Sequence, residues 1–185
     1  IGEQKQADAW RAKADEFQAE ILDKGQIDLV FRQHYDTDAL DASVLLMPLV
    51  RFLPPDDERI VATVLAINDE LNDGGLILRY EVTETDDGLH GHEGTFLICS
   101  FWMVAALSEI GERGKARALC ERLLAVAGSL DLYAEELDTE TNQHLGNFPQ
   151  AFTHLALINA VSHVIADENR DEADGPTAVF SEMRN

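Results

Sequence analysis

The segment "GTFLICSFWMVAALSEI", residues 94–110, is apolar on nearly every side of a helix. A helix of that kind has no face to offer water, so protein must surround it. The segment after it, "KARALCERLLAVA", residues 115–127, reads differently. Its apolar residues Ala116, Leu119, Cys120, Leu123 and Leu124 form one stripe, which predicts a helix with one buried face. The short turn around Gly111–Gly114 joins the two. One inner helix and one outer helix, tightly connected, set the reading of the whole chain.

The same alternation recurs on both sides of this pair. Residues 6–22 predict an outer helix, with Trp10, Ala14, Phe17 and Ile21 at steps of four, three and four. Residues 39–52, "ALDASVLLMPLVRF", are apolar on nearly every side and predict an inner helix that ends at Pro54-Pro55. Pro48 should kink it or stop it early. A third helix starts after Asp56, a good N-cap, and carries the stripe Ile60, Val64, Ile67 and Leu71 before Gly74-Gly75. The last, residues 148–165, is again mostly apolar. The expectation is an all-α chain of six helices, alternately outer and inner. Stacked αα-hairpins curving into a toroid give that pattern, and a superhelical repeat array gives something similar. No strict sequence period is visible, which weakens the repeat-array reading.

The chain has 185 residues, enough for one domain with a core. Its 35 acidic and 14 basic residues give a net charge of −21. Phosphate backbones and anionic membranes are therefore poor partners, and neither nucleic acid nor membrane is expected. No long uncharged apolar run suggests a membrane span, and no secretory pattern is visible, so the expected location is cytoplasmic. Cys99 and Cys120 fall within expected helices and read as buried free thiols. There is no zinc-ligand spacing, Gly-rich phosphate loop or nucleophile elbow, so neither a metal nor a cofactor is expected. His90 and His92 could pair on a metal, but a clear third ligand is missing.

Three connections are long: 23–38, 72–93 and 128–147. Long loops without helical pattern are often functional. All three follow an outer helix and lead into an inner one, so they should emerge at one end of a layered toroid. They hold Arg32, His34, Tyr35, Asp36 and Asp38; Arg79, Tyr80, Asp86, Asp87, His90, His92 and Glu93; and the adjacent pair Glu135-Glu136. Arginines, aromatics and carboxylates together suit a polyhydroxylated ligand. Each residue also has a plainer reading. Trp102 lies in an apolar helix and can be core; Arg79-Tyr80 can end a strand; Glu135 and Glu136 can be surface acids or a first helical turn.

Four stretches carry a family resemblance. They are "HYDTDALDASVLLMPLVRFLPPDD", "LRYEVTETDDGLHGHEGTFLICSFWMVAAL", "GKARALCERLLAVAGSLDLYAEELD" and "HLGNFPQAFTHLALINA". In content and order they resemble glycoside hydrolase family 15, closest to its bacterial trehalase or glucoamylase-like branch. The resemblance implies a twelve-helix (α/α)6 toroid, of which six helices make about half. Residues 1–168 would then be the C-terminal half of the catalytic domain, and 169–185 an acidic tail.

The family is inverting: one carboxylic acid protonates the leaving oxygen, and a second activates water, roughly 6.5–9.5 Å away. By motif, the general base falls on Glu135, the first acid of "AEELD", with Glu136 beside it as a binding or orienting group. Arg79 and Tyr80 match the family's sugar-binding "RY" pair. Glu93, Thr95, Phe96 and Trp102 fall in the segment lining the acceptor side. The general acid belongs to the family's first half and has no counterpart here. The resemblance thus implies an α-glucoside substrate (trehalose, maltose or maltodextrin) and a site inactive in this chain alone. It also implies a partner, the missing N-terminal half or a second copy. The alternative is a non-catalytic helical module that binds a peptide or protein; a regular repeat period and short, equal loops would favour it, and the three long polar loops argue against it.

Overall fold

In the computed structural model, described over residues 3–82 and 94–173, six α-helices carry the architecture. They are α1 (Gln4–Lys24), α2 (Leu46–Leu49), α3 (Glu58–Glu70), α4 (Leu97–Glu109), α5 (Arg113–Ala125) and α6 (Ala151–Ala173). No helix among the described residues is long and apolar enough to cross a membrane.

The apolar segment at 94–110 becomes α4, the centre of the molecule. Leu97, Phe101, Met103, Val104, Ala105, Ala106 and Leu107 are all buried. Only Ile98 and Trp102 on its first two turns are partly open, and their spacing of four puts them on one face. α4 ends in a Schellman motif: Glu112 N–H donates to the Leu107 carbonyl and Gly111 N–H to that of Ser108. Gly111, at φ +87°, supplies the left-handed residue this stop needs. The chain reverses there, and α5 lays its stripe of Ala116, Cys120 and Leu123 on α4. Both cysteines are buried and free, and burial pushes the Cys99 thiol up to about 12, which leaves it inert near neutral pH.

Each outer helix is followed by a small β element that the helical patterning did not reveal. After α1, β1 (Gln26–Ile27) pairs with β2 (Val30–Phe31) across Asp28-Leu29, at φ 50° and 70°. After α3, β3 (Asn72–Asp73) pairs with β4 (Leu76–Ile77) across Gly74-Gly75, at φ 53° and 86°. Two central residues with positive φ make tight hairpins matched to strand twist. After α5, β6 (Glu136–Leu137) pairs with β5 (Thr95–Phe96) on one side and β7 (His144–Leu145) on the other. Phe31 and Ile77, at matching hairpin positions, donate their amides to the hydroxyls of Thr63 and Ser100. The hairpins are thus pinned to the helices, and the loops that follow start from fixed positions.

Three expectations need correction. The helix expected over 39–52 is a 3₁₀ turn (Ala42–Leu45) running into the single turn of α2. The Asp41 carboxylate caps the start, Pro48 has no N–H for the Val44 carbonyl, and Arg51 turns left-handed at φ 61°. The stripe on α1 is not buried: Trp10 is 73% and Phe17 53% exposed, and only its last turns pack, through Ile21 and Leu22. α6 is buried on one side only. Thr153, Ala156 and Ala160 are buried, whereas Phe152, Leu155, Ile158 and Ile165 are exposed by half or more. These apolar flanks on an inner helix are what a partial toroid leaves uncovered.

At the end of α6 remote from the loops, a polar lock joins three helices. Asp167, 4% exposed, accepts from the Ser108 hydroxyl of α4 at 2.5 Å and from Arg170 at 2.8 Å, with Arg113 of α5 at 3.5 Å. Asp167→Ala should leave the buried Ser108 hydroxyl without its acceptor and reduce Arg113 to its exposed partner Asp171. The expected loss is about 2 kcal/mol of unfolding free energy, read from the urea midpoint; a loss under about 0.5 kcal/mol would mean the lock is only decorative.

Candidate active site

The second and third long connections, and the residues just after the first, meet at one cavity of about 230 Å³. Asp41 and Ser43 follow the first, Arg79 lies in the second, Glu135 lies in the third and Gln150 just after it. α4 supplies Ile98, Cys99 and Trp102, β5 supplies Phe96, and α6 supplies Phe152 and Thr153. The volume lies below the roughly 300–1,000 Å³ of pockets for drug-sized ligands, and suits one small ring. Its wall combines aromatic rings, a cation and two carboxylates.

Glu135 is fixed from both sides. Its N–H donates to the Asn147 carbonyl and its own carbonyl accepts from Leu97 N–H, both at 3.0 Å. The side chain is held through one oxygen: Oε2 accepts from the Asn147 amide nitrogen at 3.2 Å and from Nδ2 at 2.8 Å. No hydrogen bond reaches Oε1 among the described residues. Gly146 makes this possible. It sits at φ +72°, and a Cβ there would come within 2.9 Å of Oε2. The opposite sides of a strand explain the fate of the neighbouring acid: Glu136 accepts from the Gly94 amide at 3.0 Å and is absent from the cavity wall.

Arg79 is exposed at the cavity and has no carboxylate partner among the described residues, unusual in so acidic a chain. Its guanidinium lies 5.2 Å from the ring centre of Tyr80 and 6.0 Å from that of Phe96. Aromatic faces hold a guanidinium without using its donors. Tyr80 itself is 7% exposed and supports Arg79 rather than lining the cavity. Trp102 presents its partly open face there.

Of the expected site residues, Glu135, Arg79 and Trp102 thus meet in one cavity, and Tyr80 and Glu136 stand directly behind its wall. Glu93, with Asp86, Asp87, His90 and His92, lies outside the described residues. Arg32, His34 and Tyr35 face a separate cavity of about 330 Å³ beside α2. Asp41, Gly146, Asn147 and Gln150 were not singled out by residue type. The signal was local: "LDAS" is an N-cap pattern and "LGN" a left-handed turn pattern, and each places a group at a loop–helix junction.

A partial helical toroid with a sugar-sized cavity among its connections, lined by a held carboxylate and an exposed arginine, defines a class of α/α-toroid proteins. Within that class, the chain belongs to glycosyl hydrolases family 15, whose family model matches residues 1–162. It is 62% identical over 176 residues to a trehalase of Mycobacterium tuberculosis, an alignment covering 94% of this chain and 26% of that protein. A trehalase of Thermoplasma acidophilum is 41% identical over 152 residues, covering 80% of this chain and 26% of its own length. Among solved structures, a wild-type glycosidase superposes with a TM-score of 0.72 over 85% of this chain and 44% of its own. At 16% identity that likeness shows the fold. A variant described as a glycosidase in complex with glucose matches with the same TM-score. The chain spans about 26% of the length of the trehalases it matches.

Proposed function

We propose that this chain is a segment of an inverting α-glucoside hydrolase, of trehalase or glucoamylase type, in which Glu135 is the general base. The observation that carries the reading is the meeting of Glu135 and Arg79, 56 positions apart in sequence, on one sugar-sized cavity. Asn147 holds Oε2 through two donors, and the remaining oxygen takes a proton from the attacking water. That water adds to the anomeric carbon on the face opposite the leaving oxygen, which is the inverting geometry. The Arg79 fork, with no carboxylate partner among the described residues, grips ring hydroxyls while Phe96 and Trp102 cover the C–H face. Tyr80 backs the guanidinium. Glu136 anchors the Gly94 amide and with it the start of β5, and Glu93 would line the acceptor side. The names of the relatives put trehalose first as substrate, with maltose and maltodextrin next.

The general acid is proposed to lie in the part of the longer protein that this chain does not span. The segment is then inactive by itself, and the remainder of the toroid covers Phe152, Leu155, Ile158 and Ile165 on α6, with Trp10 and Phe17 on α1. Short, equal loops would have favoured the non-catalytic module, whereas these connections are long. Two outcomes are expected. Residues 1–185 alone should hydrolyse none of trehalose, maltose and isomaltose, and should self-associate in light scattering; a well-folded monomer would contradict the uncovered faces. The full-length enzyme, given trehalose, should release α- and β-glucose in equal initial amounts by NMR. Initial α-glucose alone means retention and overturns the inverting mechanism.

A further inference from the structure

Asp41 places a second carboxylate in the wall of the same cavity, and the base, the arginine fork and the aromatic face do not account for it. Its residue is 8% exposed. Oδ1 is committed: it accepts the Ser43 N–H at 2.7 Å and caps the 3₁₀ turn before α2. Among the described residues, Oδ2 has only the Gln33 side-chain amide, at 3.4 Å. Charge-assisted bonds to a carboxylate usually run about 2.7–2.9 Å from nitrogen and 2.5–2.7 Å from a hydroxyl, so this contact leaves most of the acceptor's capacity unused. A buried carboxylate oxygen without a good donor is unfavourable, and such groups call for an explanation. A cap alone does not supply one, because Ser or Asn would cap the turn without burying a charge.

Position adds the second argument. Ala42 N–H, the next residue, donates to the Arg79 carbonyl at 2.8 Å, so the two segments move as one. The charges of Asp41 and Arg79 act on the same Cys99 thiol, the first pushing its pKa up and the second down. Both groups therefore stand at the wall that Cys99 forms.

We infer that Asp41 is a further carbohydrate-binding residue, its Oδ2 accepting a hydroxyl hydrogen from the sugar that Arg79 holds. An arginine that only donates and a carboxylate that only accepts then read neighbouring hydroxyls in opposite senses. This gives the cavity a preference among sugar configurations that the arginine alone lacks. The inference rests on the hydrolase reading above.

The test uses the full-length enzyme and Asp41→Asn. Asparagine caps as well as aspartate, so the turn survives while the anionic acceptor is lost. The expected result is a fall in kcat/KM of about tenfold to a hundredfold with an unchanged melting temperature. Monodeoxy trehaloses supply the decisive arm. One of them should lose a similar factor with the wild type and almost nothing further with Asp41→Asn, because the partner hydroxyl is already unread. If every monodeoxy analogue loses the same factor in both proteins, or if kcat/KM is unchanged, Asp41 is a cap and no more. Glu135→Gln separates the two failures. Should that variant stay active, the reading of Glu135 as the base falls; should it be inactive while the deoxy pattern is unaltered, only the assignment of Asp41 falls.

Discussion

Glu135→Gln in the full-length enzyme is expected to lower kcat by about 10²–10⁴-fold, the usual contribution of a positioned base, while the protein melts as before. Glutamine has the same shape, and its carbonyl can still accept from the Asn147 amide and Nδ2. The backbone bonds that hold residue 135 to Asn147 and Leu97 do not involve the side chain. The substitution therefore removes proton acceptance and little else. Steady-state kinetics with trehalose and a thermal melt check both halves. A loss under about tenfold would mean that Glu135 only binds.

The second large effect is expected at a residue with no functional group. Gly146→Ala meets two obstacles. At φ +72° an L side chain is strained, which costs about 1–3 kcal/mol. Its Cβ would also lie 2.9 Å from Glu135 Oε2 and 3.1 Å from Glu135 Cβ, so the carboxylate must move. Misplacing a catalytic group by about 1 Å can cost about 10²-fold in rate, and a kcat loss of that order is expected. Gly111→Ala is the control. It carries similar strain at φ +87°, but nothing lies within 4 Å of the new Cβ and it sits at the far end of α4. It should lower the melting temperature and spare kcat. Equal kcat losses in the two variants would show that strain, rather than displacement of Glu135, is responsible.

These residues also show how much could be read before the structure. The contrast between 94–110 and 115–127 was enough for the inner–outer pair α4 and α5, because a helix without a polar face admits one environment. Loop phase then put Arg79 and Glu135 at one end of the molecule, and they share a cavity. The resemblance gave Glu135 its expected role. What escaped was too short or too contextual. The hairpins have two-residue strands, below the length at which alternation can be seen, and Asp28-Leu29 is a turn that neither residue advertises. Pro48 announced a break, but the early 3₁₀ start depended on a side-chain bond from Asp41. Trp10 and Phe17 have the spacing of a buried stripe, yet a stripe records the need for a neighbour and not its presence. Asp41 was not singled out in the sequence, and only its weakly bonded oxygen and its place in the wall of a sugar-sized space suggest a ligand.

The central claim is that Glu135 activates the nucleophile on the face opposite the leaving group. Glu135→Ala in the full-length enzyme, with azide added, addresses it most directly. The truncation removes the base and opens room beside the anomeric carbon, and azide is a nucleophile that needs no deprotonation. The account predicts that azide restores consumption of the α-glucoside and that the product is the β-glucosyl azide. An α-glucosyl azide, or hydrolysis undiminished by the substitution before azide is added, would contradict it.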